Sequence, residues 1–230
     1  MDRGEVFDTS ELFGDCIDEQ PDPVEAAARL ARRQQAVALR TRTRVHTSRA
    51  KSEAVLADLL PPVIASGDSW HVMSAGDVDA LSYLAHLLRA MPADHAIVST
   101  WCMSLDDVQQ LAAWLHAGQI ARLDVYVGET FPSQYGPAFD ALCSALRGHP
   151  GGGRVAVFRN HAKVTVMANH KRRYYATAES SANLNTNPRN EQTTITRGRP
   201  LACFYKTFFD NVRSNIRNFD TWVPHGWQTA

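Results

Sequence analysis

From residue 69 onward, short apolar runs alternate with amphipathic stretches, and that alternation predicts an α/β domain. Residues 70–73, 96–101 and 122–127 read as strands. Between them, 77–89 puts Leu81, Leu84, Leu87 and Leu88 on one side of a helix. A second helix is expected over 105–117, with Ser104 as its N-cap, Asp107 at the capping-box position and Gly118 at its end. A third covers 135–147 and stops before the Gly151-Gly152-Gly153 turn. Residues 154–167 read as one long strand, 174–178 as its partner across a turn rich in Asn, His, Lys and Arg, and 192–196 as a further strand. A terminal helix is expected over 201–218, where Phe204, Phe208, Val212 and Ile216 fall at helical spacing and read as a core-facing stripe. Alternating strands and helices imply a mixed central sheet flanked by helices on both faces.

The pattern before residue 69 is different. Residues 1–24 are polar, with Pro21 and Pro23, and 24–38 reads as an Ala-rich helix. Residues 40–47 alternate arginine with β-branched residues, which leaves helix and strand both open. A short helix over 52–60 ends at Pro61-Pro62. The expected division is an N-terminal extension, 1–64, and a domain over 65–230.

Charge changes the picture of that extension. The chain has 24 basic and 24 acidic residues, so its formal charge of zero favours no partner. The zero conceals a bipolar N-terminus: up to Glu25 the charges are acidic except for Arg3, and from Arg29 to Lys51 they are basic. Arg40, Arg42, Arg44 and Arg49 in that run are candidate nucleic-acid contacts, as are Lys171, Arg172 and Arg173 in the later basic turn, read as a hairpin beside the active site. The four cysteines are widely spaced, which suits free thiols in a reducing compartment better than a disulfide framework or a zinc site. With no signal-like segment and no apolar run of membrane length, a cytoplasmic protein with no membrane partner is expected.

The chemistry concentrates in 154–196. His161 and Lys163 stand two apart in an apolar alternating run, so on a strand they share a face and meet one anion together. Ser181 and Asn183 add neutral donors, and Glu191 supplies a carboxylate to hold the histidine ring. Each piece alone is ordinary, since Ser and Asn commonly bond nearby backbone in turns. The ordered set is not.

His161-Ala162-Lys163, then Ser180-Ser181-Ala182-Asn183, then Arg189-Asn190-Glu191 resembles the HKD motif of the phospholipase D superfamily, in particular its single-motif branch from phages and mobile elements. The resemblance extends over about 65–215 and is strongest over 154–196. Three features depart from the pattern: Ala168 stands where the motif's Asp is expected, Ser180 replaces the Gly of Gly-Ser-x-Asn, and the hairpin between Lys163 and Ser180 is longer than in compact members. The resemblance implies a phospholipase D-like fold and a phosphodiesterase that needs no metal or cofactor. His161 would attack phosphorus and form a phosphohistidine. Lys163 and Asn183 would bind the non-bridging oxygens, Ser181 would bond the phosphate edge or brace the turn, and Glu191 would fix the histidine tautomer. No second His-x-Lys occurs in the chain, so the second histidine would come from a homodimer mate. The expected substrate is nucleic acid, DNA ahead of RNA, in the host cytoplasm if the chain is phage-encoded. A non-catalytic DNA-binding or assembly protein on the same scaffold is the alternative. A lipid phosphodiesterase ranks third, because there is neither an export signal nor an amphipathic membrane segment.

Overall fold

The computed structural model describes residues 38–40, 44–47, 53–74, 78, 80–184, 189–215 and 226–227. The helix expected over 24–38 lies outside them, except that Ala38 begins a strand. The strands are β1 (Ala38–Arg40), β2 (Arg44–Thr47), β3 (Ser69–Ser74), β4 (His95–Ser99), β5 (Leu123–Gly128), β6 (Gly153–Phe158), β7 (Val164–Asn169), β8 (Tyr174–Ser180) and β9 (Glu191–Arg197). The helices are α1 (Glu53–Leu59), α2 (Ala80–Ala90), α3 (Leu105–His116), α4 (Phe131–Gln134), α5 (Gly136–Arg147) and α6 (Arg199–Asp210).

The strands form one mixed sheet in the order β1-β2-β3-β9-β8-β7-β4-β5-β6. The open question over 40–47 resolves as strand at its described residues, Arg40 and 44–47: β1 and β2 pair antiparallel, and β2 runs parallel to β3. Strands β4, β5 and β6 are parallel, as expected where helices make the crossovers. Strands β7, β8 and β9 form an antiparallel meander that joins β4 on one side and β3 on the other. All residues of β4, β5 and β7 are buried, so these centre the sheet between two apolar layers. One layer packs α1, α2, α3 and α5 against Val72, Val98, Val125, Val155 and Met167. The other packs Ala202 and Phe209 of α6 against Ile97, Tyr126, Val166 and Ala168.

Local chemistry explains the best-read element. Asp107 N donates to Ser104 Oγ at 3.1 Å and Ser104 N to Asp107 Oδ2 at 3.3 Å, which closes the capping box of α3. Gly118 follows the helix with φ +69°, a conformation that favours glycine.

Two expectations are corrected. The strand read over 154–167 is two strands, β6 and β7, which are not neighbours in the sheet. The aromatic stripe of the last helix is not core: Phe204 is 62% exposed and Phe208 54%. The inward face is Ala202, Tyr205, Lys206 and Phe209, offset from the predicted stripe. Apolar residues cover a wide arc of α6, so periodicity identifies a helix without choosing its buried side. The helix also ends at Asp210, because the chain then joins the edge of β6: Val157 N donates to Ser214 Oγ at 3.0 Å and Asn215 N to Val157 O at 2.7 Å.

Candidate active site

Between the sheet edge at β6 and the sheet centre at β7, residues 159–163 make a crossing. His161 and Lys163 lie in this crossing, not on a shared strand face. They converge even so. Lys163 Nζ donates to His161 Nδ1 at 2.9 Å and to His161 O at 2.8 Å. The crossing is held by Asn160, which is buried. Its Nδ2 lies 3.0 Å from Ser99 Oγ, 3.1 Å from Thr100 O and 2.9 Å from Tyr126 O, and its Oδ1 accepts from Ala162 N at 3.0 Å. One amide thus ties the loop to the ends of β4 and β5. Ser99 Oγ adds a bond to Ala162 O at 3.0 Å.

The result is an open cleft of about 640 Å³, with His161, Lys163, Glu179, Ser181, Thr194 and Tyr205 in its walls. Register explains the far wall: Val164, next to Lys163, pairs with Glu179, and Glu179 pairs with Thr194. Tyr205 reaches over from α6 and donates its hydroxyl proton to Glu179 Oε1. Burial, together with that carboxylate, pushes the Tyr205 phenol up to about 12. Burial holds the Lys163 ammonium below the ordinary lysine value, opposed in part by the Cys102 thiol and the Glu191 carboxylate.

The remaining motif residues are close but not in their expected contacts. Glu191 Oε2 accepts from Ser181 Oγ rather than from the histidine ring, and Ser181 Oγ in turn accepts from Gln192 N at 2.9 Å. Ser181 therefore braces the β8–β9 connection through the carboxylate. Asn183 turns its oxygen to the end of β4, accepting from Trp101 N at 3.3 Å and from Thr100 Oγ1 at 3.4 Å, and is not among the residues lining the cleft. The Trp101 ring is partly buried: it packs on the core and also lies 6.0 Å from the His161 ring.

The basic residues fall elsewhere. Strand β7 runs away from Lys163, so Lys171, Arg172 and Arg173 cap the β7–β8 hairpin at the opposite end of the sheet. They do not flank the cleft. The backbone of Arg40 and Arg44 lies at that same end, since Arg40 pairs with Val45 and Arg44 with Ser69. Arg42 and Arg49 lie outside the described residues.

Asn160, Thr100, Glu179 and Tyr205 were not singled out from sequence. Asn160 directly precedes the histidine, and Glu179 directly precedes the Ser180-Ser181 pair; adjacency to the motif was the available signal. Tyr205 had none, because only packing of α6 chooses its side.

No family model matches the chain, and no curated protein matches it. Among solved structures, it is similar to a polyphosphate kinase from Porphyromonas gingivalis at 14% identity and a TM-score of 0.46. That likeness covers 61% of this chain and 25% of the kinase chain. Among the described residues, no helix is long and apolar enough to cross a membrane.

Proposed function

We propose that the chain is a phosphodiesterase of phospholipase D-like type that cleaves nucleic acid through a phosphohistidine on His161, without a metal. The observation that carries this reading is the convergence of the Lys163 ammonium on the His161 ring within an open cleft. A ring nitrogen whose lone pair faces an ammonium is arranged to face phosphorus once a phosphate oxygen takes over the ammonium's hydrogen bond. Lys163 then neutralises charge that grows in the transition state. Attack by the imidazole forms the P–N bond and expels one alcohol of the diester; water later cleaves P–N and releases the other product with the phosphate. Protonating the leaving alkoxide calls for a second acid. His161 is the one imidazole among the residues lining the cleft. His71 bonds Thr194 at 3.0 Å from β3, but β3 is separated from β7 by two strands, so roughly 14 Å lies between them. His71 is not among the residues lining the cleft, which supports recruiting the second histidine from an identical chain.

Neither substituted position of the motif removes a group from the cleft. Ala168 is fully buried near the far end of β7, opposite Tyr175 and His95, so a missing carboxylate there removes nothing from the cleft. Ser180 does not have a positive φ, so its position does not demand glycine, and its Oγ accepts from Ala182 N at 3.0 Å.

One observation favours a second reading, a non-catalytic nucleic-acid-binding protein: Glu191 bonds Ser181 and leaves the histidine without a carboxylate partner among the hydrogen bonds of the cleft. Incubating wild type and His161→Asn with single- and double-stranded DNA in excess EDTA separates the two. Cleavage by wild type alone supports the enzyme. Equal gel-shift binding by both proteins with no cleavage supports the binder.

A further inference from the structure

The end of the sheet opposite the cleft carries three exposed cations in sequence, Lys171, Arg172 and Arg173, at the tip of the β7–β8 hairpin. Strand β7 spans six residues, which puts that tip roughly 20 Å from the cleft. The tip is rigidly built. Arg172 N donates to Asn169 Oδ1 at 2.9 Å, Asn169 Nδ2 to Pro92 O at 2.8 Å, and His170 N to Asp94 Oδ2 at 2.6 Å. The His170 ring packs 5.7 Å from Trp227 and 5.8 Å from Tyr175. The turn therefore holds the three cations out at a fixed place.

None of the three makes an ion pair with a carboxylate among the described residues. Two of the acids at this end are engaged elsewhere. Asp94 takes the His170 amide, and Asp124 is buried between His95 and Arg122. The backbone of Arg40 and Arg44 on the β1–β2 edge lies at the same end. Three strand spacings separate β2 from β8, roughly 14 Å, a distance that about four successive phosphates of one strand cover. The cleft end, in contrast, sets Glu179 and Glu191 close to Lys163. The hairpin cations and the cleft therefore sit at opposite ends of one sheet.

We infer that this far end is a separate docking surface for a nucleic-acid backbone, which holds the polymer while a distant stretch of it enters the cleft. The inference rests on the proposed function for the identity of the polymer. Charge complementarity carries the choice of partner: a row of unpaired arginine forks and a lysine matches a row of phosphates. An anionic membrane fits less well, because the hairpin tip presents no exposed apolar side chain to insert.

The test is fluorescence polarisation with a labelled 30-mer, single- and double-stranded, in EDTA across a salt series. The full chain carrying His161→Asn, so that the probe is not turned over, is compared with the same chain bearing a triple change, Lys171→Gln, Arg172→Gln and Arg173→Asn; asparagine suits the φ of +50° at Arg173. Its thermal melt is recorded alongside, and a single Arg172→Gln variant serves if the triple one folds poorly. The expected result is an affinity lower by about tenfold or more near 0.1 M salt and a log–log salt slope shallower by about 2. For the single variant, a slope shallower by about 1 is expected. Unchanged affinity and slope overturn the inference. So does a variant that loses binding to phosphatidylserine vesicles while keeping oligonucleotide binding. Because binding is read without turnover, a chain that binds through the hairpin but does not cleave leaves this surface standing and removes the enzyme. A chain that cleaves, with hairpin variants that bind normally, does the reverse.

Discussion

The Asn160 side chain makes its bonds with backbone and side-chain atoms of β4, β5 and the crossing that carries His161. Replacing it by alanine takes the side-chain donor from Thr100 O and the acceptor from Ala162 N, while Tyr126 O keeps its bond from Thr100 N, and the expected cost is about 3 kcal/mol. Urea denaturation of Asn160→Ala measures that cost; a change within about 0.5 kcal/mol contradicts the anchoring role. Lys163 makes a pH prediction. Burial lowers its pKa, so its ammonium is lost at lower pH than the ordinary value of 10.5. If that ammonium binds phosphate, KM rises on the alkaline side before pH 10.5, and Lys163→Arg moves the rise to higher pH. A KM that stays flat through that range contradicts it.

Gly128, the last residue of β5, lies against Trp101, and a Cβ there meets Trp101 Cδ1 at 2.3 Å and Trp101 O at 2.8 Å. Gly128→Ala therefore pushes the indole, and the His161 ring beside it, out of place. The expected effect is about 1–3 kcal/mol of stability and a lower kcat, read by melting and by diester hydrolysis. A variant with wild-type melting and turnover contradicts it. The elements themselves were largely legible. The capping box at Ser104 and Asp107, the apolar runs of β4 and β5, and the β7–β8 pairing all follow from local pattern. What was not legible depended on non-local pairing. Residues 154–167 alternate as one strand does, and only the sheet order splits them, because β6 pairs with β5 and β7 with β4 and β8. The same limit hid the placement of the motif. Sequence order located His161, Lys163, Ser181, Asn183 and Glu191 near one another, but not that Glu191 would bond Ser181 or that the basic turn would lie a strand length away.

Across the whole sheet, the two ends differ in how their charged groups are held. At the far end, His95 Nε2 lies 2.9 Å from Asp124 Oδ2 while Trp227 Nε1 donates to His95 Nδ1 at 3.0 Å, so the ring donates to the carboxylate through Nε2. Burial pushes the Asp124 carboxyl up, but its bond with His95 and the nearby Arg122 outweigh burial and hold its pKa below 3.8. A lowered folded pKa stabilises fully above the unfolded value, and that stability is lost as pH falls through the folded one. Asp124→Asn is therefore expected to cost about 3 kcal/mol near neutral pH, with the gap to wild type narrowing below pH 3.8 in urea titrations. A gap independent of pH contradicts the pairing. The proposed chemistry of the cleft requires a bond from His161 to phosphorus, and trapping that bond tests it. Wild type is quenched in alkali during turnover of bis(p-nitrophenyl) phosphate in EDTA, and its peptides are weighed. The account predicts an acid-labile p-nitrophenylphosphoryl adduct on the peptide that contains His161, absent from His161→Asn. Turnover with the adduct on another residue, or His161→Asn turning over at the wild-type rate, contradicts it.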